Sequence, residues 1–519
     1  MTLKERPAET NDAMPFDRVK LIAPGSAVRA MREALACRTG GAGSVAASPF
    51  PFGNSILLLL FFSLAVMSAP VFFSDSACAS GEPGLVSSQW RMASTQSAAA
   101  PVAEGEPSWS SAVTSVDSRP GHGWAVTLSS TPHGPPLIVA VNKDRQQLFM
   151  LEQRSPLSLK RQLSCSTGER VGDKVEQGDL KTPEGVYFVQ EHLRGGLDYD
   201  LYGTMAFTLN FPNPVDRLKG KTGSGIWIHG RGHPLQPRET KGCVALANPD
   251  LEGMAPFLKR GTPIVIAHDL GWTDRMLSEG PPLDLAAAAQ AWAAAWAARD
   301  DAFFKFFDAE KFSKAQNESF RSFKEQKERL FSQLPWIYTR IKDIRVVPGP
   351  DYWVTYFNQY YRAPNLSTEG IRRLYWQKDA SGQLRIVGLE WEEAPVGMEQ
   401  AYLGEASLSA AEFLEAWRTS WEKADMDAYM GFYDTSAEQA DKRGLRAIRD
   451  YKQKLWKEKP PKRVAIDNLE LNLDPAGLRV SFVQAYRAGT NFQDQGLKTL
   501  LLQPHGDSWR IVREEWSPM

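Results

Sequence analysis

A chain of 519 residues exceeds what one hydrophobic core organises, since such cores stop growing at roughly 250 to 300 residues, so several domains are expected. The composition, 43% hydrophobic and 23% charged, is that of a globular protein. A formal net charge of -1 gives no reason to expect nucleic acid or an acidic surface as partner, and any charged patch must be local.

Residues 56–73 (ILLLLFFSLAVMSAPVFF) form an apolar run that leads to Ala77-Cys78-Ala79, an A-x-A cleavage pattern. Residues 1–79 therefore read as a leader with an export signal, which places the mature chain in the periplasm or cell envelope. The leader is long and contains arginines, so translation from an internal Met such as Met31, or retention as an N-terminal anchor, is the alternative. Lipidation at Cys78 is the minor reading, because Asp75-Ser76-Ala77 lacks the expected leucine. Residues 80–135 are rich in Ser, Ala, Gly and Pro without apolar periodicity and read as a flexible linker.

Order is expected from Pro136. PLIVAVNKDRQQLFMLEQ reads as a hairpin turning at Asn142-Lys143-Asp144, and LKRQLSCSTG, GVYFVQEH, FTLNFP, GIWIHG and TPIVIAHD follow as short strands. Residues 136–270 are thus a mostly β domain. Beyond it the pattern changes and then recurs. Trp292 and Trp296 match Trp417 and Trp421, Phe357 to Ala363 match Phe482 to Ala488, and Trp391 matches Trp516, each pair 125 positions apart. One constant offset over separate segments marks an internal duplication. Each copy, 283–397 and 405–519, has a helical half and a curved-sheet half, an α+β layout that resembles the NTF2-like fold. Trp353, Tyr356, Tyr360 and Tyr361 either line a pocket there or pack in a core or an interdomain face.

Four cysteines are present, and only Cys165 and Cys243 lie beyond the export segment. In an oxidising compartment a lone pair reads first as a disulfide. Cys243 is otherwise a buried structural thiol or a nucleophile. Thr240-Lys241-Gly242-Cys243 has features of the last kind: Gly242 permits a tight turn, N-H groups at Gly242 and Cys243 point toward an oxyanion, and Lys241 adds positive potential. His229 closes the strand GIWIHG and is a candidate base, with His233 as a rival, but on these residues alone a structural role ranks ahead. The remaining histidines lack a zinc-type spacing, so no metal or cofactor is expected.

The words around these residues decide between the readings. Ser166-Thr167-Gly168, Lys181-Thr182-Pro183-Glu184-Gly185, Asn210-Phe211-Pro212-Asn213-Pro214-Val215-Asp216-Arg217, Gly225-Ile226-Trp227-Ile228-His229-Gly230 and Thr240-Lys241-Gly242-Cys243 occur in order. Residues 136–269 thereby resemble the L,D-transpeptidase catalytic domain (the YkuD or ErfK/YbiS/YcfS/YnhG family), whose signature is a histidine, a variable loop and Ser/Thr-x-Gly-Cys. Two departures stand out: the loop is shorter than in many members, and Lys241 replaces a second histidine.

The resemblance implies acyl transfer on peptidoglycan stem peptides. Cys243 is then the nucleophile, His229 the general base and acid, Gly230 the backbone group that orients it, and Gly242 an oxyanion donor. Thr240, Lys241, Arg231 and Arg238 are expected to contact substrate, the arginines by forked hydrogen bonds to carboxylates, although solvated loop charge accounts for them equally. Asn213, Asp216 and Arg217 are expected to organise the loop before the catalytic strand. Three functions stay open: an L,D-transpeptidase forming crosslinks or attaching a protein to the wall, an L,D-carboxypeptidase that trims tetrapeptides and affects cell shape, and a non-catalytic wall-binding protein. For the repeats the expectation is binding or positioning, through glycan, an envelope protein or self-association.

Overall fold

The computed structural model describes residues 123–519, apart from 155–156, 277–279, 490–491 and 507. The apolar run, the A-x-A segment, Cys37, Cys78, His122 and residues 80–122 of the expected linker lie outside the described residues. Among the described residues no helix is long and apolar enough to cross a membrane.

The first domain is built from β1 (Ala125–Ser130), β2 (Leu137–Asn142), β3 (Gln147–Glu152), β4 (Ser158–Ser164), β5 (Gly185–Leu193), β6 (Ala206–Leu209), β7 (Trp227–His229), β8 (Val244–Ala245), β9 (Pro263–Ala267) and β10 (Asp269–Met276). Eight of these form one mixed sheet in the order β4-β3-β2-β9-β5-β6-β7-β8. The expected hairpin is β2-β3, with Asn142 opposite Gln147. The end of the expected linker is ordered instead. Strand β1 lies within 80–135 and pairs in parallel with β10, which runs past the expected boundary at 270. Alternating apolar residues Trp124, Val126 and Leu128 drive this, since all three are buried.

Strand β2 shows why the sheet is central. Val139 and Val141 point into a core shared with Tyr187, Phe207, Ile228 and Val244, whereas Ile138 and Ala140 point to the other face. A strand buried on both faces needs an apolar run without polar alternation, and LIVAV supplies it.

The second face is covered by the first repeat. This comprises the helix Pro281–Ala298, a 3-10 turn at Asp301–Phe306, helices Ala309–Gln316 and Phe320–Gln333, and an antiparallel sheet of β11 (Tyr338–Pro348), β12 (Trp353–Ala363), β13 (Leu366–Lys378) and β14 (Leu384–Glu393). Val347, Tyr352, Val354, Tyr375 and Val387 of this sheet join Val186, Phe188 and Val265 of the first domain in one core. Polar groups close the seam. Tyr352 OH accepts from the Val186 N-H at 2.8 Å and from Asn213 Nδ2 at 3.3 Å, and Asn210 Nδ2 donates to Glu390 at 2.9 Å. Asn213 also caps the helix Pro214–Leu218 in a capping box with Asp216, and Arg217 donates to the Ala315 carbonyl at 2.7 Å. The Asn-Phe-Pro-Asn-Pro phrase is therefore the structural organiser expected from sequence, and it also docks the repeat.

The second repeat has the helices Met398–Glu422, Met426–Met430 and Gly444–Glu458 and six strands: β15 (Tyr433–Gln439), β16 (Lys442–Arg443), β17 (Pro461–Asp474), β18 (Gly477–Ala488), β19 (Phe492–His505) and β20 (Ser508–Pro518). Its first helix begins at Met398, ahead of the expected start at 405. The duplication is visible in side-chain geometry: Trp292 and Trp296 meet edge to face at 5.2 Å and 62°, Trp417 and Trp421 at 5.3 Å and 68°. The four aromatics of β12 line no common pocket. Tyr356 packs on Phe188, Tyr361 on Trp296, Tyr360 on Tyr402 in the second repeat's core, and Trp353 stays partly buried at the edge of the first repeat's core.

The seam makes a measurable demand. Tyr352→Phe leaves the buried Val186 N-H without its acceptor and should lower unfolding free energy by about 1–3 kcal/mol. Urea denaturation checks this, and a midpoint indistinguishable from the parent contradicts the assignment.

Candidate active site

Strands β7 and β8 run parallel, with Ile228 opposite Val244 and His229 opposite Ala245. Ile228 and Val244 are fully buried in the core. Because side chains alternate along a strand, Trp227 and His229 take the other face, and Cys243, one residue before β8, falls opposite Trp227 on that same face. The pairing thus puts the histidine and the cysteine of the sequence signature on one face of the sheet.

Cys165 and Cys243 are both free thiols. The disulfide reading is overturned, and the reason is topological: Cys165 packs in the apolar core with Val139, Leu148 and Val244, where burial pushes its thiol up to about 12. Cys243 is half-buried, and its thiol donates weakly to the Gly225 carbonyl at 3.5 Å. Burial pushes this thiol up as well, while a backbone hydrogen bond at Trp227 and the charges of Arg231 and Lys174 pull it down.

His229 is buried, and its Nδ1 lies 2.6 Å from the Gly230 carbonyl. A carbonyl only accepts, so Nδ1 carries the proton and Nε2 holds the free lone pair. Burial pushes the imidazole down to about 4, against the raising effect of the Gly230 hydrogen bond, with Arg231 lowering it further. At neutral pH the resting pair is therefore a thiol and a neutral imidazole. A Cβ at Gly230 would displace the Asn248 side chain, whose Oδ1 lies 2.0 Å from that position and accepts from the Thr204 N-H. His233, the rival base, is exposed on the loop and turns its Nδ1 to the Pro234 carbonyl at 3.1 Å.

The remaining expected residues divide. Thr240 is buried: its hydroxyl donates to the Cys243 carbonyl at 2.7 Å and accepts from the Gly242 N-H at 3.2 Å. It staples the turn through its one donor and one of its two acceptor positions. By the same bond the Gly242 N-H is engaged, so the expected oxyanion donor is not free in this state. Gly242 itself has φ +128, and a Cβ would come within 2.8 Å of the Lys181 carbonyl. Arg231 is committed too, donating to Glu239 Oε1 at 3.2 Å and to the Leu201 carbonyl at 3.1 Å. Arg238 is tied by its backbone N-H to Gln146 at 2.9 Å and lies 3.7 Å from Asp144. The Arg231 guanidinium is thus held by its own loop, whereas the Arg238 guanidinium has only the long contacts to Asp144. Lys241 is exposed beside Cys243 and joins no ion pair among the described residues.

Sequence reading missed three neighbours. Tyr202 meets His229 edge to face at 5.2 Å and Trp227 at 5.1 Å. Trp227 was legible from the two-residue alternation with His229, whereas Tyr202 carries no local signal. The third is Lys174, buried in a 2.8 Å pair with Asp179. Against burial, which would raise it, Lys174 and the N-H groups of Val175, Lys181 and Glu176 bring Asp179 down to about 2, which fixes the loop whose far end supplies the Lys181 carbonyl beneath Gly242.

Residues 136–266 match the L,D-transpeptidase catalytic domain model (YkuD). The chain carries a YkuD-type L,D-transpeptidase catalytic domain. Residues 284–390 and 409–515 each match the Cds6 C-terminal NTF2-like domain, so the L,D-transpeptidase domain is followed by two NTF2-like copies. A putative L,D-transpeptidase, YafK of Escherichia coli strain K12, is 34% identical over 94 residues, which is 18% of this chain and 35% of that protein. The match thus spans about a third of the curated relative's length. Among solved structures, Bdellovibrio bacteriovorus Bd1075 is similar at 26% identity with a TM-score of 0.40, covering 52% of this chain and 97% of that one. The helical cell shape determining protein Pgp2 of Campylobacter jejuni gives 27% identity and a TM-score of 0.39, covering 49% of this chain and 91% of that one.

The depressed imidazole sets a pH signature. The folded pKa of about 4 lies below the unfolded value near 6.5, so between these values the unfolded chain binds more protons and stability falls as pH drops through that window. A proton NMR titration of the His229 ring should show its midpoint near 4; a midpoint near 6.5 contradicts the geometry.

Proposed function

We propose that the catalytic domain is a cysteine-dependent L,D-transpeptidase acting on peptidoglycan stem peptides, with Cys243 as nucleophile and His229 as general base and acid. The observation that carries this is the free, half-buried Cys243 thiol on the same sheet face as a neutral His229, whose tautomer the Gly230 carbonyl fixes. Both residues feel the positive charge of Arg231.

In this reading the resting thiol is not preionised, so proton transfer accompanies attack. Nε2 of His229 takes the Sγ proton as sulfur adds to the carbonyl carbon of the bond between the L-centre of a diamino acid and D-alanine. The tetrahedral oxyanion collapses to a thioester and D-alanine leaves as an amine, carrying the proton returned by His229. An acceptor amine then attacks the thioester, gives up a proton to His229, and releases Cys243 as the thiol. Stabilising the oxyanion through Gly242 requires its N-H to leave the Thr240 hydroxyl, so substrate entry reshapes this turn. Exposed Lys241 supplies positive potential at the site mouth. Such a substrate places the enzyme outside the cytoplasm, in keeping with the export pattern of residues 56–79.

Incubating the purified protein with tetrapeptide-containing muropeptides and weighing the products tests the proposal. Crosslinked dimers are expected. Free tripeptides without dimers reassign the enzyme as an L,D-carboxypeptidase, and unchanged muropeptides remove the enzymatic reading. Cys243→Ala should abolish either product, and His229→Ala should lower kcat/KM by about 10²–10⁴ fold.

A further inference from the structure

The two repeats carry the same pair of cations and differ in what neutralises them. In the second repeat Lys452, on the helix Gly444–Glu458, and Lys498, on β19, lie over the Trp421 ring, 4.5 and 5.0 Å from its centroid. Glu514 on β20 pairs with Lys498, lies 3.9 Å from Lys452, and accepts from Tyr433 OH. The three charged side chains are only 2–4% exposed, so this cluster is sealed and its two cations share one internal carboxylate.

The first repeat keeps the cations. Lys327, 125 positions before Lys452, lies 4.7 Å over Trp296, which is 125 positions before Trp421. Arg372 lies 5.8 Å over the same ring and 4.6 Å over Trp391. Register identifies it as the counterpart of Lys498: Arg372 stands opposite Phe357 as Lys498 stands opposite Phe482. The carboxylate is what is missing. Leu389 opposes Leu374 where Glu514 opposes Leu500, so an apolar side chain takes the anionic position.

Nothing within the described residues compensates. Neither cation joins an ion pair there; Arg372 Nε donates to the Gln359 amide oxygen at 3.0 Å, and exposed Glu318 acts on Lys327 only at a distance. Burial and then the neighbouring Arg372 push Lys327 down to about 8, and burial pushes Arg372 down to about 9. Two like charges held against aromatic rings without a counter-charge are costly, and an anion arriving from outside relieves that cost. Lys327 and Arg372 are partly buried residues, whereas Lys452, Lys498 and Glu514 of the twin are fully buried.

We infer that the first repeat binds a small carboxylate-bearing ligand against Lys327 and Arg372, which supplies from outside the negative charge that Glu514 supplies in the second repeat. The carboxylate would receive charge-assisted hydrogen bonds from the ammonium and the guanidinium, with the Trp296 and Trp391 rings as walls. This assignment is independent of the acyl-transfer chemistry.

Thermal denaturation of the whole chain in rising sodium acetate or succinate, at ionic strength held constant with chloride, tests it. A saturable rise in Tm is expected. Lys327→Met should remove the response or shift its midpoint at least tenfold. Leu389→Glu should supply the carboxylate internally, start from a higher Tm, and respond no further; if that variant does not fold, the partly exposed Lys327→Met still decides. No saturable response in the parent overturns the inference, as does a response unchanged in Lys327→Met. A response to inorganic phosphate without one to acetate or succinate overturns the carboxylate assignment.

Discussion

The short parallel pairing of β7 with β8 is the constraint from which the site follows. Two strands of three and two residues set the face on which Trp227, His229 and Cys243 appear, and a slip of one residue would send His229 into the core. So short a ladder does not hold its own register. It is braced from behind, where Ser166 bridges Ala245 in antiparallel fashion and Thr240 exchanges backbone hydrogen bonds with Thr167 and Glu169. The Ser-Thr-Gly phrase, with no evident chemistry of its own, is what aligns the cysteine.

The same economy governs the charges. Lys143 is buried and satisfied by Glu184 at 2.9 Å and by the carbonyls of Gly172 and Thr182, which anchors both ends of the loop over the site. Lys174 with Asp179, and Arg231 with Glu239, repeat the device. These pairs leave their positive ends near the sulfur while denying them mobility. The result is a fixed positive field at the sulfur, with the exposed Lys241 beside it.

Much of this was legible in the sequence. The hairpin at Asn142, the two tryptophan pairs and the His229 to Cys243 relation follow from alternation, from a constant offset and from ordered phrases, all of them local or repeated signals. What escaped depends on contacts between distant segments. Tyr202 reaches His229 from a four-residue helix, and nothing around it in the sequence marks it. The partners of Arg231 and Arg238 were not legible, because a loop charge looks the same in sequence whether it faces water, substrate or its own loop. Strand β1 was hidden by a Ser- and Thr-rich composition, although its apolar alternation was present, and the disulfide reading failed because counting thiols carries no information on which layer each occupies.

The core that the catalytic sheet shares with β12, β13 and β14 has an evolutionary corollary. Val347, Tyr352, Tyr375 and Val387 answer to two domains at once, so drift at these positions is penalised from both sides. The second repeat has its own seam with the first: Tyr402 packs on Tyr360 with ring centroids 5.4 Å apart, and Arg362 donates to the Asp474 and Gly477 carbonyls at 2.8 and 2.6 Å. Each repeat therefore answers for a seam as well as for its own core, so a substitution at any of these seam positions is felt in two domains at once.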